Sequence, residues 1–76
     1  MHDYALYVYE TCPFCQKVFR YMDKAGITLP LKNARDPEIA AELVTIGGKK
    51  QVPCLVIDGV AMYESDDIIQ YLKEHF

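Results

Sequence analysis

The chain has 76 residues, which is room for one compact domain over residues 1–76 and not for two. Its composition, 51% hydrophobic and 25% charged, is that of an ordinary globular protein and argues against disorder, collagen or a coiled coil. Eight basic residues against eleven acidic ones give a formal net charge of -3, so no overall positive field attracts nucleic acid or an anionic membrane.

The first half of the chain predicts a strand, a helix and a second strand. Residues 4–9 form a short run rich in aromatic and branched side chains, which favours a buried strand. Residues 13–25 have helical apolar spacing, and Gly26 follows where a helix C-terminus favours positive φ. Residues 27–33 predict a strand at a sheet edge, because Pro30 has no N–H for a ladder. The inward positions of the helix predicted over residues 13–25 are Phe14, Val18, Tyr21, Met22 and Ala25.

A second helix is predicted to begin after Asp36. Asp36 is suited to the N-cap and Pro37 to the first helical position. Gly47 and Gly48 then end the helix. Its inward positions are Ile39, Leu43 and Ile46.

The last part of the chain predicts a hairpin and a third helix. Residues 54–57 and 60–63 are apolar runs joined by Asp58 and Gly59, a pair typical of tight antiparallel hairpins. Ser65 is predicted to cap the third helix, whose buried positions are Ile68, Ile69, Leu72 and Phe76. The order strand, helix, strand, helix, hairpin, helix predicts an α/β protein in which a right-handed crossover makes the first two strands parallel.

The motif Cys12-Pro-Phe-Cys15 stands where the first strand passes into the first helix. Unpaired N–H groups and the positive end of the helix dipole favour the thiolate of Cys12, which is the nucleophilic form. Pro13 suits the first helical turn, and Cys15 returns almost one turn later, close enough to form a disulfide. We therefore expect the Cys12 thiolate to attack the substrate, and the more buried Cys15 to displace the captured group from Cys12.

A zinc site is the main structural alternative for such a pair. It needs four ligands, and only Cys54, His2 and His75 remain to supply the others, so no metal site is expected. Cys54 lies in an apolar strand and is expected to be a small buried side chain. An iron–sulfur cluster shared between two chains stays open.

We expect a cytoplasmic protein that does not associate with membranes. No run reaches the roughly 18 to 20 apolar residues that span a bilayer, and Met1-His2-Asp3 lacks the start of a signal peptide. The odd cysteine count, with two thiols close together, indicates thiols that react, since secreted mini-domains usually carry even disulfide frameworks.

Three blocks together resemble the glutaredoxin family over nearly the whole chain: Cys12-Pro-Phe-Cys15, Val52-Pro53, and Glu64-Ser65-Asp66-Asp67. The resemblance implies a thioredoxin fold, in which three helices cover a four-stranded mixed sheet. With the predicted strands 4–9, 27–33, 54–57 and 60–63 labelled β1 to β4, the implied order in the sheet is β2-β1-β3-β4. It also implies a cis peptide bond before Pro53. The segment Gln51-Val52-Pro53 with Glu64-Ser65 also resembles the N-terminal domain of glutathione transferases that kept the reactive cysteine.

The same resemblance implies a glutathione site. The backbone of Val52, beside Pro53, would pair with the cysteinyl amide of glutathione, and Ser65 with Asp66 would hold its γ-glutamyl carboxylate and ammonium. Glutaredoxins usually carry a basic residue shortly before the first cysteine, where this chain has Glu10-Thr11. Lys49, Lys50 and Gln51 are the residues expected to compensate, although the two lysines suit a solvated loop equally well.

These features predict a glutathione-dependent thiol–disulfide oxidoreductase, a monomeric enzyme that reduces protein–glutathione mixed disulfides and protein disulfides. Glutathione is its expected reductant, no metal is required, and the partners are glutathionylated or disulfide-containing proteins. Two alternatives stay open: a redoxin that donates electrons to ribonucleotide reductase, and a non-enzymatic module that binds glutathione or a [2Fe–2S] cluster.

Overall fold

The computed structural model describes residues 3–76 and contains, in chain order, the elements βαβαββα. The strands are β1 (Tyr4–Val8), β2 (Leu31–Asn33), β3 (Cys54–Ile57) and β4 (Val60–Met62). The helices are α1 (Pro13–Ala25), α2 (Pro37–Gly47) and α3 (Ser65–His75). Within residues 3–76, no helix combines the length and the apolar character that crossing a bilayer requires.

The four strands form one mixed sheet in the order β2-β1-β3-β4. Strand β1 is parallel to β2 and antiparallel to β3, and β3 is antiparallel to β4. The fold is therefore the thioredoxin fold, as predicted, with β2 at the edge. Because β1 is an inner strand, the Cys12 motif that follows it begins at the carboxyl end of a strand with neighbours on both sides.

Helices cover both faces of the sheet. Side chains alternate along β1, so that Leu6 and Val8 join one core while Tyr7 joins the other. The core under α1 and α3 consists of Leu6, Val8, Cys15, Val18, Met22, Leu29, Leu55, Ile68 and Leu72. The core under α2 consists of Tyr7, Ala34, Leu43, Cys54 and Val56. Full burial of one such leucine stabilises the fold by about 2 kcal/mol, so these two small cores hold the sheet between its helices.

The second strand is shorter than predicted, because Ile27 closes the end of α1 and pairing with β1 begins only at Pro30. The N–H of Ile27 donates to the carbonyl of Met22 at 2.9 Å and thereby closes the end of α1. The carbonyl of Pro30 accepts the N–H of Leu6 at 2.8 Å, so the ladder with β1 begins only there. The predicted start of the strand at residue 27 was therefore wrong, while its edge position is confirmed.

Two aromatic residues predicted to be buried are exposed. Phe14 is 63% exposed in the first turn of α1, where Cys15 takes the inward position instead. Phe76 is 54% exposed and follows the last residue of α3. Ala25, the last residue of α1, is also exposed, whereas Val18, Met22, Leu43, Ile68 and Leu72 are buried as predicted.

Most of the predicted helix ends and turns are confirmed. The Asp36 carboxylate caps α2 by accepting the N–H of Glu38 at 2.9 Å, and Asp58 and Gly59 both have positive φ in the hairpin turn. The start of α3 differs from the prediction, because Glu64 is its N-cap and Ser65 is already helical. The Glu64 side chain makes no capping hydrogen bond, so it leaves N–H groups of the first turn of α3 available to a ligand.

Candidate active site

The Cys12-Pro-Phe-Cys15 motif lies at the start of α1, as predicted. Cys12 is the N-cap, with φ -79° and ψ 125°, and Pro13 is the first helical residue. The carbonyl of Cys12 accepts the N–H of Gln16 at 2.9 Å, which begins the helical hydrogen bonding. Cys12 is half-buried and Cys15 is fully buried, so the predicted difference in burial is confirmed.

The surroundings of Cys12 favour its thiolate. Burial by itself would raise the pKa of Cys12, but the adjacent backbone N–H groups of Cys15 and Phe14 and the neighbouring Cys15 thiol outweigh it. The positive charge of Arg35 acts in the same direction, and the net result is a pKa below the usual value. Cys12 is thus the more nucleophilic sulfur of the pair at neutral pH.

The surroundings of Cys15 have the opposite effect. Burial raises the pKa of Cys15 to about 11, against a hydrogen bond from the backbone N–H of Tyr9. The hydrogen bond with Cys12 and the charge of Cys12 contribute to this same rise, because both favour the protonated form of Cys15. One thiol is therefore prepared to ionise and its neighbour to stay protonated.

Arg35 is a site residue that was missed in the sequence. Its guanidinium carbon lies 4.8 Å from the centroid of the Tyr9 ring, and Nη2 donates to the Thr11 hydroxyl at 3.1 Å. The turn after β2 holds Arg35 in place, because its backbone N–H donates to the Asn33 side chain at 3.0 Å. A sequence signal existed: the loops after two parallel neighbouring strands meet at one edge of the sheet.

A pocket of about 190 Å³ opens beside the motif. One wall comes from the segment before β3, the second from the start of α3, and the third from the exposed side of α1. The pocket is lined by Phe14, Lys17, Gln51, Val52, Pro53, Tyr63, Glu64, Ser65 and Asp66. Five of the six residues predicted for glutathione binding are thus brought together, whereas Lys50 is exposed and is not among the lining residues.

The predicted cis peptide bond between Val52 and Pro53 is present. Pro53 is buried beneath the pocket, and Val52 is half-buried at its wall. Val52 packs against the core under α1 and α3, which Cys12 also contacts. Cys12 and the segment predicted to bind glutathione therefore pack against the same core.

Asp66 has a partner across the pocket. Its carboxylate forms an ion pair with the ammonium of Lys17, which belongs to α1. The side chain of Asp66 is 80% exposed and that of Lys17 is 47% exposed. Exposed pairs of this kind contribute little to stability, so either charge is free to exchange its partner for a charged ligand.

Cys54 and His75 take no part in this arrangement. Cys54 is fully buried in β3, as predicted, and burial raises its pKa to about 11. His75 is exposed, and His2 lies outside the described residues. Across residues 3–76, no three His, Cys, Asp or Glu side chains are grouped so that they could hold a metal ion.

The family model described as "Glutathione S-transferase, N-terminal domain" matches residues 6–76. The chain belongs to this family. The predicted resemblance to the N-terminal domain of glutathione transferases is thereby confirmed, and the predicted resemblance to glutaredoxins is confirmed for the fold. Among curated proteins, no match is found.

Solved structures from both groups are similar to this glutathione S-transferase N-terminal domain. Glutathione transferase Omega 3C from Trametes versicolor is 26% identical with a TM-score of 0.82, over 95% of this chain and 33% of that chain. Glutathione S-transferase 1-6 from Anopheles dirus species B is 35% identical with a TM-score of 0.77, over 92% and 34%. The chain thus spans about a third of the length of these transferases.

A glutaredoxin structure shows the same fold over a larger share of its length. Buckwheat glutaredoxin, solved as a complex with glutathione, is 18% identical with a TM-score of 0.73, over 96% of this chain and 70% of that chain.

Proposed function

We propose that the protein is a glutathione-dependent thiol–disulfide oxidoreductase that uses Cys12 and Cys15. The single observation that carries the proposal is the opposite shift of two neighbouring thiols. The pKa of Cys12 is lowered by helix N–H groups, while burial raises the pKa of Cys15 to about 11. A thiolate beside a protonated partner thiol is the resting state that dithiol exchange requires.

Glutathione is the proposed reductant, and the pocket beside the motif is its proposed site. Val52 offers backbone groups next to the cysteinyl part of the tripeptide. The uncapped start of α3, at Ser65, suits the γ-glutamyl carboxylate, because free N–H groups and the helix dipole favour an anion. Asp66 would hold the ammonium in exchange for Lys17. Arg35 provides the positive charge that the segment Glu10-Thr11 lacks.

The first step is a thiol–disulfide exchange with a protein–glutathione mixed disulfide. The Cys12 thiolate attacks the glutathione sulfur, a new S–S bond forms between them, and the old S–S bond breaks. The protein thiolate leaves and takes a proton from water. A second glutathione thiolate then attacks the glutathione sulfur bound to Cys12, which releases oxidised glutathione and restores the Cys12 thiolate. Each turnover consumes one free glutathione, whose sulfur replaces the protein sulfur in the disulfide, so the products are the protein thiol and oxidised glutathione.

Protein disulfides would be reduced through Cys15. After Cys12 attacks such a disulfide, it is held in a mixed disulfide and carries no negative charge. The hydrogen bond and the charge that raise the pKa of Cys15 are then removed, and only burial still opposes its ionisation. Capture of the substrate therefore activates Cys15, which loses its proton to water and attacks the Cys12 sulfur. A Cys12–Cys15 disulfide forms, and the bond from Cys12 to the substrate breaks and releases the reduced protein. Two glutathione molecules then supply the two electrons that reduce the Cys12–Cys15 disulfide.

The proposal is tested with Cys15→Ser, and Cys12→Ser is the matched control. We expect Cys15→Ser to keep turnover of glutathionylated protein with glutathione and glutathione reductase, but to lose reduction of protein disulfides by the dithiol route. Cys12→Ser should lose both activities. A Cys15→Ser protein that is inactive on glutathionylated substrate would contradict the assigned roles.

A second candidate follows from the family. Because the chain matches an N-terminal domain and spans about a third of related transferases, it could instead hold glutathione for conjugation to an electrophile. Turnover of 1-chloro-2,4-dinitrobenzene without thiol-transfer activity would favour this candidate. Thiol transfer without conjugation favours the oxidoreductase.

A further inference from the structure

We propose that Tyr63 is a positioning residue that holds two walls of the pocket at the distance glutathione binding requires. Its hydroxyl joins the segment before β3 to the start of α3. The inference rests on the proposed function, because it assigns Tyr63 a role in the affinity of that same site for glutathione.

The first observation is a pair of hydrogen bonds to a single residue. The Tyr63 hydroxyl donates to the carbonyl of Lys49 at 3.0 Å and accepts the N–H of Lys49 at 3.2 Å. The ammonium of Lys49 also lies 5.0 Å from the centroid of the Tyr63 ring. Tyr63 itself stands between β4 and Glu64, the N-cap of α3. One side chain therefore fixes the start of the loop that leads to Val52 relative to the helix start.

The second observation is the space that Gly47 leaves for this hydroxyl. A Cβ atom at Gly47 would lie 1.9 Å from the Tyr63 oxygen and 2.6 Å from its Cζ atom. Gly47 does not have positive φ, so its backbone conformation does not require glycine. Glycine is therefore required at the last residue of α2 because Tyr63 approaches it closely. The Tyr63 hydroxyl lies where a side chain of residue 47 would otherwise lie.

The consequence concerns both groups proposed to bind glutathione. Gln51 and Val52 line one wall of the pocket, Ser65 and Asp66 line the opposite wall, and Tyr63 lines the pocket between them. A ligand that contacts both walls binds more tightly when the walls are already held at the right separation, because less ordering is needed on binding. Loss of the hydroxyl should therefore weaken glutathione binding and leave the thiolate of Cys12 unchanged.

The test compares Tyr63→Phe with Tyr71→Phe. The second variant also loses a hydroxyl hydrogen bond, the 3.0 Å contact with Tyr4, but away from this pocket. In a Cys12→Ser background, titration calorimetry with glutathione should give a dissociation constant about fivefold higher for Tyr63→Phe, as expected for one net hydrogen-bonding contribution. Tyr71→Phe should bind as the parent does.

A merely structural role would not produce the same kinetics. With Cys12 intact, Tyr63→Phe should raise KM for glutathione by about the same factor as the dissociation constant, with kcat and the pH midpoint of Cys12 alkylation unchanged. Gly47→Ala should reproduce the higher dissociation constant, because the added methyl group displaces the hydroxyl.

Three results would overturn the inference: a change below about twofold in Tyr63→Phe, an equal change in Tyr71→Phe, or unchanged binding in Gly47→Ala. If the Cys12→Ser parent binds no glutathione and the unmodified protein has no thiol-transfer activity, the proposed function fails and the inference fails with it. If the parent binds and the unmodified protein turns over while Tyr63→Phe is unaffected, the inference alone fails.

Discussion

Replacement of Arg35 by glutamine removes the positive charge that the structure brings to the reactive thiol. Arg35 is exposed, but it is held by the Tyr9 ring at 4.8 Å and by the Thr11 hydroxyl at 3.1 Å, and Thr11 directly precedes Cys12. Glutamine keeps a similar length and loses the charge. We expect the pKa of Cys12 to rise in this variant, because the attraction between Arg35 and the thiolate is lost.

The size of the rise follows from the exposure of the pair. Two unit charges about 4 Å apart in water interact by about 1 kcal/mol, which corresponds to about 0.7 pKa unit. Arg35 is bound to the residue before Cys12 and not to the sulfur, so we expect the rise in the pKa of Cys12 at low salt to be smaller than this full interaction would give. At pH values below the pKa, the fraction of Cys12 present as thiolate would fall about threefold. A more basic thiolate is also intrinsically more nucleophilic, which offsets nearly half of the resulting loss of alkylation rate on a logarithmic scale.

The assay is the rate of iodoacetamide alkylation across pH at low salt and at about 1 M salt, where charge interactions at the surface are screened within about 3 Å. The native protein suits it, because Cys15 and Cys54 are buried, and burial raises the pKa of each to about 11. Lys50→Gln is the matched control, since it removes an equally exposed positive charge that does not line the pocket.

The expected result is a higher midpoint for Arg35→Gln at low salt, a smaller difference at high salt and no change for Lys50→Gln. An unchanged midpoint for Arg35→Gln would refute the electrostatic role of Arg35. A larger change in the midpoint for Lys50→Gln would instead assign that role to Lys49 and Lys50, which the sequence first indicated.

Two further predictions concern stability. Burial raises the pKa of Cys15 and Cys54 to about 11, so between about pH 9 and 11 the folded state holds protons that the unfolded state has lost. Their contribution is complete below pH 9, and urea unfolding should show stability that falls as pH rises towards 11; a flat profile would contradict the burial of these thiols. Tyr7→Phe removes the hydrogen bond to Glu42 and should cost about 1 to 2 kcal/mol, or about 5 to 10 °C in the Tm of a domain this small. Thermal unfolding measures the loss, and a Tm within about 2 °C of the parent would mean that this half-buried contact contributes little.

The parts of the site that depend on neighbours in sequence could be predicted. Cys12, Pro13 and Cys15 lie within one helical turn, so their placement follows from the start of a single helix. Asp58 and Gly59 likewise determine a turn by their own backbone preferences. Local preference also has a limit, because Ser65 is a good capping residue and yet Glu64 precedes it as the N-cap.

Features that depend on the assembled sheet could not be predicted with the same detail. Arg35 approaches Cys12 only because β2 lies parallel to β1, which places the loop after β2 beside the start of α1. Phe14 has helical spacing suited to a core, but Cys15 takes the inward position and leaves the ring exposed at the pocket. Apolar spacing identifies a helix face; which residue at its end is covered depends on what packs there.

The central claim is that Cys12 ionises at a lower pH than a free thiol while Cys15 keeps its proton. Its most direct test is a pH titration of the thiolate ultraviolet absorbance of the unmodified protein, with Cys12→Ser and Cys15→Ser to assign each step. The account predicts a first step below the free-thiol value of about 8.5 that is lost in Cys12→Ser, and a later step, shared by Cys15 and Cys54, whose amplitude is smaller by one thiol in Cys15→Ser. A first step at or above that value, or one that disappears in Cys15→Ser, would contradict it.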